Sequence, residues 1–336
     1  MISGITRTTA TANFLQTIDW FQGMIVDWNS AGTAYALDGS IRKLHHYHFG
    51  FQCDGSITSA CGNYVFLYQR LGTKGLLLKN GEILREINRS YYHSDVYEFP
   101  AAFFVFEART YLAHCPISYK RLDFEDVESG EIATNYCARE PQDFFHSRLE
   151  VSPDDTFLMS RGWFWHPFDA ISVFDIAKCF KDLSLLDNGG ISPNVASEIC
   201  SASFIDSDRI LVCASDEDPF DDDMPQTIPP GHFAVWNFRT NVIANVLKPE
   251  ERIGNLFAID DRYFWDTFNH PKIIALNNGE IVGKIEDVNS GEQNSSIIHH
   301  LNPLPQIAFN KETGQIAISA NQEIEILGPT FKSDGF

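Results

Sequence analysis

Eleven histidines and one run of carboxylates are the residues of this chain whose types best suit binding chemistry. Two or three imidazoles and a carboxylate can together hold Zn²⁺, Mn²⁺ or Fe²⁺ with open coordination positions. The candidates for such a divalent transition-metal site are His93, His146 and His299, with Arg148 as a contact for an anionic substrate. No His-Glu-x-x-His spacing accompanies them, so a metal-dependent hydrolase or lyase depends on the fold to bring them together.

The carboxylate run places six acidic side chains within eight residues: Asp216, Glu217, Asp218, Asp221, Asp222 and Asp223. It does not match a calcium-binding loop, which requires Gly at the sixth position and Glu at the twelfth. One interpretation is a solvated loop, because like charges repel and resist ordering. The other is a partner-binding segment in which Phe220 and Met224 anchor and the acidic field speeds encounter with a basic surface.

Aromatic residues accompany the histidines at Tyr92, Trp163 and Trp165, and His166 directly follows the last of them. Large rings with a polar edge favour recognition surfaces, but at junctions between sheets they also pack as core. We therefore include these four residues in the candidate partner-binding surface, with a core role as the alternative.

Composition limits the class of partner. A net charge of −20 repels nucleic acid and anionic membranes, whereas a basic protein is attracted. The first residues do not form a signal peptide, and no run reaches the roughly 20 apolar residues of a membrane helix. Seven cysteines without Cys-x-x-Cys spacing suit reduced thiols. We therefore expect a cytoplasmic protein that binds neither nucleic acid nor membrane.

A repeated hairpin indicates how these residues are positioned. Glycines at 39, 81, 130 and 279 each follow an apolar strand and stand where a tight hairpin turn requires positive φ. Their separations are 42, 49 and 149 residues, close to one, one and three periods of about fifty. Such a period is typical of the blades of a β-propeller.

The pattern predicts a single all-β domain over 1–330, a seven-bladed β-propeller of four-stranded antiparallel blades. The expected blades cover 13–50, 51–96, 97–145, 146–195, 196–254, 255–303 and 304–328, with 331–336 as a tail. The last blade has three strands, so a strand from 4–12 is expected to complete it and close the ring. Less regular features are a first strand at Phe14–Ile18, a fourth strand of blade 3 at Glu131–Asn135 and a short helix around Lys178–Leu186.

In such a blade, turns after the first and third strands lie on one face, and connections after the second and fourth lie on the other. All eleven histidines fall on the second kind of connection. One explanation is structural, because a histidine between blades can hydrogen-bond a strand hydroxyl, as expected for His93 and His146. The other is that several imidazoles meet at the mouth of the channel.

The turn Ser152-Pro153-Asp154-Asp155 lies between the first two strands of blade 4, and Phe174-Asp175 and Trp236-Asn237 end third strands. In these positions the chain resembles the WD-repeat and YVTN-like propellers, whose repeats carry Ser-Pro-Asp-Gly and Trp-Asp there. The resemblance implies the architecture and assigns no function.

No nucleophile elbow, dinucleotide fingerprint or phosphate-binding loop is present in the sequence. We therefore expect a non-enzymatic interaction scaffold without a cofactor, which presents its histidine-, aromatic- and acid-rich face to a protein partner. The metal-dependent hydrolase or lyase is the alternative. A further alternative is an immunity-type inhibitor that masks a basic toxin with its acidic surface.

Overall fold

Seven antiparallel sheets surround one central axis in the computed structural model, which describes residues 1–12, 14–50, 52–219, 227–320 and 322–331. This confirms the predicted all-β, seven-bladed β-propeller. The first strand of each blade lies innermost, beside the first strands of its neighbours. Successive strands follow outward in chain order.

The strands of blades 1 to 3 are regular except at the outer edge of blade 3. In chain order they are β2 (Asp19–Phe21), β3 (Met24–Asp27), β4 (Thr33–Tyr35), β5 (Ile41–Lys43); β6 (Gly55–Thr58), β7 (Tyr64–Tyr68), β8 (Lys74–Lys79), β9 (Glu82–Asn88); and β10 (Ala101–Phe106), β11 (Arg109–His114), β12 (Asp123–Asp126).

Blade 4 differs from the others because two short strands share one side of its long second strand. Its elements are β13 (Phe144–Phe145), β14 (Glu150–Val151), β15 (Phe157–Phe164) and β16 (Phe168–Asp175), followed by α1 (Ile176–Lys181) and α2 (Ser184–Asn188). The helices occupy the predicted helical region, and the Asp175 carboxylate caps α1 by accepting a hydrogen bond from the Lys178 amide at 3.0 Å.

Blades 5 to 7 complete the ring. Their strands are β17 (Ile199–Phe204), β18 (Arg209–Ala214), β19 (Phe233–Asn237), β20 (Val242–Leu247); β21 (Leu256–Ala258), β22 (Tyr263–Asp266), β23 (Lys272–Ala275), β24 (Ile281–Lys284); and β25 (Ile307–Asn310), β26 (Gln315–Ala320), β27 (Glu323–Phe331).

The chain closes the ring with β1 (Ile2–Thr11), which pairs antiparallel with β27 as the outermost strand of blade 7. This confirms the predicted closure by an N-terminal strand. Arg7 reinforces it, because its guanidinium donates to both carboxylate oxygens of Glu325 at 2.9 and 2.7 Å. The edge of β27 is thereby covered by a strand from the same chain.

The core lies between the blades. Second and third strands are buried on both faces, as in β7 and β23, whereas fourth strands such as β20 are largely exposed. Apolar clusters join each pair of neighbouring blades, and fully buried aromatic rings such as Trp236, Trp265 and Phe66 fill them. This explains why second and third strands read as continuous apolar runs.

Two predicted strands were wrong. The first strand of blade 1 is β2 rather than Phe14–Ile18, because the Asp27 carboxylate accepts hydrogen bonds from the Gln16 and Thr17 amides. In blade 3 the segment Glu131–Asn135 forms only one bridge, between Ile132 and Glu125. Further along the segment, the Thr134 hydroxyl accepts a hydrogen bond from the Phe124 amide at 3.0 Å. A side-chain hydrogen bond there replaces a backbone hydrogen bond of the sheet.

All seven cysteines are free thiols, and five of them are buried. Among the described residues, neither of the helices is long and apolar enough to cross a membrane.

Candidate functional site

The connections that leave second and fourth strands form one rim of the ring, here called the histidine face. Every histidine lies on such a connection or at the end of the strand before it: His45, His46, His48, His93, His114, His146, His166, His232, His270, His299 and His300. The glycine hairpins lie on the other kind of turn, and all four glycines have φ between +74° and +84°.

Sheet twist modifies this division at the outer edge of the ring. The outer strands tilt, so that in blades 2 and 6 the hairpin between the third and fourth strands packs beside the end of the previous blade's fourth strand. A methyl group at Gly81 of blade 2 would overlap the imidazole of His45 in blade 1. Gly279 of blade 6 lies in the same way beside Leu247 of blade 5. His45 therefore contacts the neighbouring blade.

His146 has the structural role expected of a histidine between blades. Its Nδ1 lies 3.1 Å from the Ser160 hydroxyl on the second strand of the same blade, and the Lys120 backbone also hydrogen-bonds the ring. Burial lowers the pKa of His146 to about 3, so the ring is neutral at physiological pH.

His93 packs among aromatic rings instead. Its imidazole centroid is 4.5 Å from that of Tyr92, 5.3 Å from Trp165 and 5.9 Å from Phe145. The residue adopts a left-handed backbone conformation, with φ of +52°. His93 thus supports an aromatic surface rather than a strand hydroxyl.

The part of the chain that the structure describes contains no group of side chains that could act together as metal ligands. There, no three histidine, cysteine or acidic side chains lie close enough to hold a metal ion. His146 is engaged by Ser160, His93 by aromatic rings, and His299 packs edge-to-face against His300 at 5.4 Å. A metal held by these three residues remains a prediction without geometric support.

Most of the candidate aromatic residues do meet on the histidine face, in a cluster here called the aromatic patch. It comprises Tyr92, Tyr119, Phe145, Trp163 and Trp165. Phe145 and Trp163 stack at 3.8 Å and are buried, whereas Tyr92 and Trp165 are 48% and 47% exposed. The exposed rings are therefore available for recognition, whereas the buried rings belong to the core. His166 directly follows Trp165 on the exposed turn.

Arg89 holds the connection that carries Tyr92 and His93. Its guanidinium donates to the backbone carbonyls of Gly72, Arg70, Ser94 and Tyr97, and lies 4.7 Å from the Tyr97 ring. Five donors in a rigid fork suit such a role, which fixes an irregular segment without regular secondary structure. Arg89 and Tyr119 were not predicted from the sequence. The only local sign of the role of Arg89 was its position directly after a fourth strand.

The acidic run lies on the connection between β18 and β19, also on the histidine face. Asp216 forms an ion pair with Arg252 at 2.5 Å, and the Glu217 amide donates to the Ser215 hydroxyl. Asp218 is exposed. The other predicted contacts, Phe220, Asp221, Asp222, Asp223 and Met224, lie outside the described residues.

Between the aromatic patch and the acidic run lies a pair of poorly solvated carboxyl groups, Glu198 and Asp169. Burial, with the neighbouring charges of Asp169 and Glu217, raises the pKa of Glu198 to about 7. Burial also raises the pKa of Asp169, whose carboxylate accepts a hydrogen bond from the Ser296 amide at 2.9 Å. Glu198 therefore titrates near neutral pH on this face.

This chain is similar to known proteins in its fold. The chain folds as a seven-bladed β-propeller, the architecture that its resemblance to WD-repeat propellers implied. One similar solved chain belongs to a structure described as "Crystal Structure of Mitotic Checkpoint Complex", with a TM-score of 0.57 and 11% sequence identity over 97% of this chain and 91% of that chain. At that identity the match shows the fold alone. No protein-family model and no curated protein sequence matches the chain.

Proposed function

We propose that this protein is a non-enzymatic interaction scaffold that binds a protein partner through the histidine face. The observation that carries the proposal is the aromatic patch, in which exposed Tyr92 and Trp165 rest on the buried pair Phe145 and Trp163. Binding energy at protein interfaces concentrates in such supported aromatic residues, because a rigid ring loses little entropy when it is covered.

The charge of the chain favours a basic partner. The net charge is −20, and Asp216 to Asp218 place carboxylates on the same face as the aromatic patch. A field of this sign accelerates encounter with a positively charged surface, and salt weakens the effect. Aromatic rings then supply affinity and the acidic run supplies orientation.

The similar solved propeller also supports a protein partner, since its chain was crystallised as part of a protein complex. A closed ring of sheets holds its connections rigidly, so a partner finds its contact surface already formed.

Site-specific crosslinking in the native cells tests the proposal. A photo-reactive phenylalanine analogue at position 165 should capture a discrete protein. The matched control is the same analogue at Leu37, an exposed position across the ring in blade 1. Equal capture from the two positions, or capture from Leu37 alone, would contradict the proposal.

The captured protein then allows a quantitative test with purified components. Trp165→Ala should weaken binding by about 30-fold, the loss typical of a central aromatic contact, while Leu37→Ala leaves affinity unchanged. Titration calorimetry measures both, and the association rate should fall as salt rises. Wild-type affinity in Trp165→Ala would remove the aromatic patch from the interface.

A further inference from the structure

The first strands of the blades enclose an axial cavity of about 690 Å³. Apolar side chains such as Ile57, Phe257 and Phe309 form much of its wall, and the rings of Phe257 and Phe309 lie 5.4 Å apart. This volume suits an organic molecule of metabolite size.

Arg148 lines this cavity with unused hydrogen-bonding capacity. It is only 8% exposed, and its Nη2 donates to the Cys200 carbonyl and to the Ser296 hydroxyl, both at 2.8 Å. Its Nε and Nη1 are buried and hydrogen-bond to no residue within the described ranges. A buried cation with unsatisfied donors is unfavourable unless something accepts from it.

Other arginines on the cavity wall have carboxylate partners. Arg70 pairs with Glu98 at 3.3 Å, and Arg161 pairs with Glu150 at the same distance. Arg148 makes no ion pair among the described residues, although the charges of Glu98 and Asp169 attract it from further away. The cavity wall therefore carries one guanidinium without a direct counter-ion.

A second unsatisfied hydrogen-bond donor lines the same cavity as Arg148. Gln293 is 9% exposed and lines the same cavity, and its Nε2 finds no hydrogen-bond partner among the residues described. Gln293 lies three residues before Ser296, the residue that Arg148 contacts. Two buried donors thus share one end of a cavity with apolar walls.

We propose that the axial cavity binds a monocarboxylate with an apolar body. The carboxylate accepts hydrogen bonds from Arg148 and Gln293, and the apolar body packs against the rings of the wall. A single negative charge matches the single guanidinium that lacks a counter-ion, whereas the carboxylates of Glu98 and Glu150 would repel a phosphate dianion more strongly. The site is distinct from the partner surface proposed above.

Calorimetry and thermal unfolding with a matched set of probes test this inference. 3-Phenylpropionate should bind and raise the unfolding temperature, while its neutral amide and inorganic phosphate bind at least about tenfold more weakly. Equal binding of the acid and the amide would overturn the assignment, as would the absence of binding by the acid.

Substitutions in the cavity wall test which residues hold the carboxylate of the ligand. Gln293→Met removes an amide whose Nε2 has no partner within the described residues, so the fold should persist while affinity for the acid falls about fivefold. Arg148→Met should abolish binding, each variant being compared with its own ligand-free unfolding temperature. The control is Lys311→Met, which removes a cation at the opposite end of the cavity whose Nζ already donates to the carbonyls of Phe204 and Ala258. A larger loss in Lys311→Met than in Arg148→Met would refute the site.

Discussion

At the scale of single residues, burial decides which polar groups hold the structure and which remain available. His146 and Arg89 are buried and hydrogen-bonded to specific neighbours, so they fix the connections of the histidine face. Glu198 is different, because burial and nearby carboxyl groups oppose its ionisation. Its charge therefore costs stability near neutral pH.

A pH dependence follows from Glu198. Its pKa is about 7 in the folded protein and about 4.3 when unfolded, so the folded state retains the proton over this interval. Stability from this group should fall as pH rises from about 4.3 to 7. Glu198→Gln should add about 1 to 2 kcal/mol to the unfolding free energy at pH 8 and little at pH 4, after allowance for solvent screening.

Urea unfolding at the two pH values measures the effect of Glu198→Gln. Glu292→Gln, at an exposed position, is the control and should change stability equally at both. A gain in Glu198→Gln that is the same at pH 4 and pH 8 would show that the charge is not responsible.

At the scale of elements, the hairpins between third and fourth strands do more than reverse the chain. Twist brings some of them against the preceding blade, as Gly81 shows beside His45. Hairpins that have a glycine with the same backbone conformation therefore differ in how much a side chain would destabilise them.

Substitutions at two glycines measure the cost of the turn conformation separately from the cost of the contact between blades. Gly39→Ala should lose about 1 kcal/mol, because φ of +84° disfavours a side chain while the space around it is open. Gly81→Ala, with φ of +83°, should lose about 2 to 3 kcal/mol, because its methyl group also displaces His45. Urea denaturation measures the unfolding free energy of both variants. Equal losses would mean that the contact between Gly81 and His45 does not contribute to the cost of the substitution.

At the scale of the whole molecule, stability depends on closing the ring. β1 and β27 are far apart in the sequence, so blade 7 is complete only when β1 pairs with β27 and closes the ring. Their pairing also covers an edge that would otherwise accept a strand from another molecule.

Removal of residues 1–11 should therefore lower the unfolding free energy by about 3 kcal/mol or more and promote self-association. Arg7→Gln is the milder control, since it removes the ion pairs with Glu325 and Asp287 but retains the strand, and should cost about 1 kcal/mol. Urea unfolding and size-exclusion chromatography measure the two effects. A monomeric truncated protein with the wild-type midpoint would contradict this role for β1.

Local chemistry determined much of the architecture. The glycines at 39, 81, 130 and 279 specify turns through their own backbone freedom, and apolar runs specify buried strands, so the blades and the face that carries the histidines were predictable. The strands at Phe14–Ile18 and Glu131–Asn135 were wrong because the Asp27 side chain accepts from the Thr17 amide and the Thr134 side chain accepts from the Phe124 amide of β12, and no periodicity reveals such bonds.

The candidate sites depended on tertiary structure. Tyr92 and Trp165 were evident as aromatic residues, but their support by Phe145 and Trp163 joins three connections that are distant in sequence. Sequence reasoning suggested Arg148 as an anion contact, whereas its partly unsatisfied guanidinium became visible only inside the ring. Turns and strands follow from neighbours along the chain, but burial, twist and counter-ions follow from contacts between residues that only the folded ring brings together.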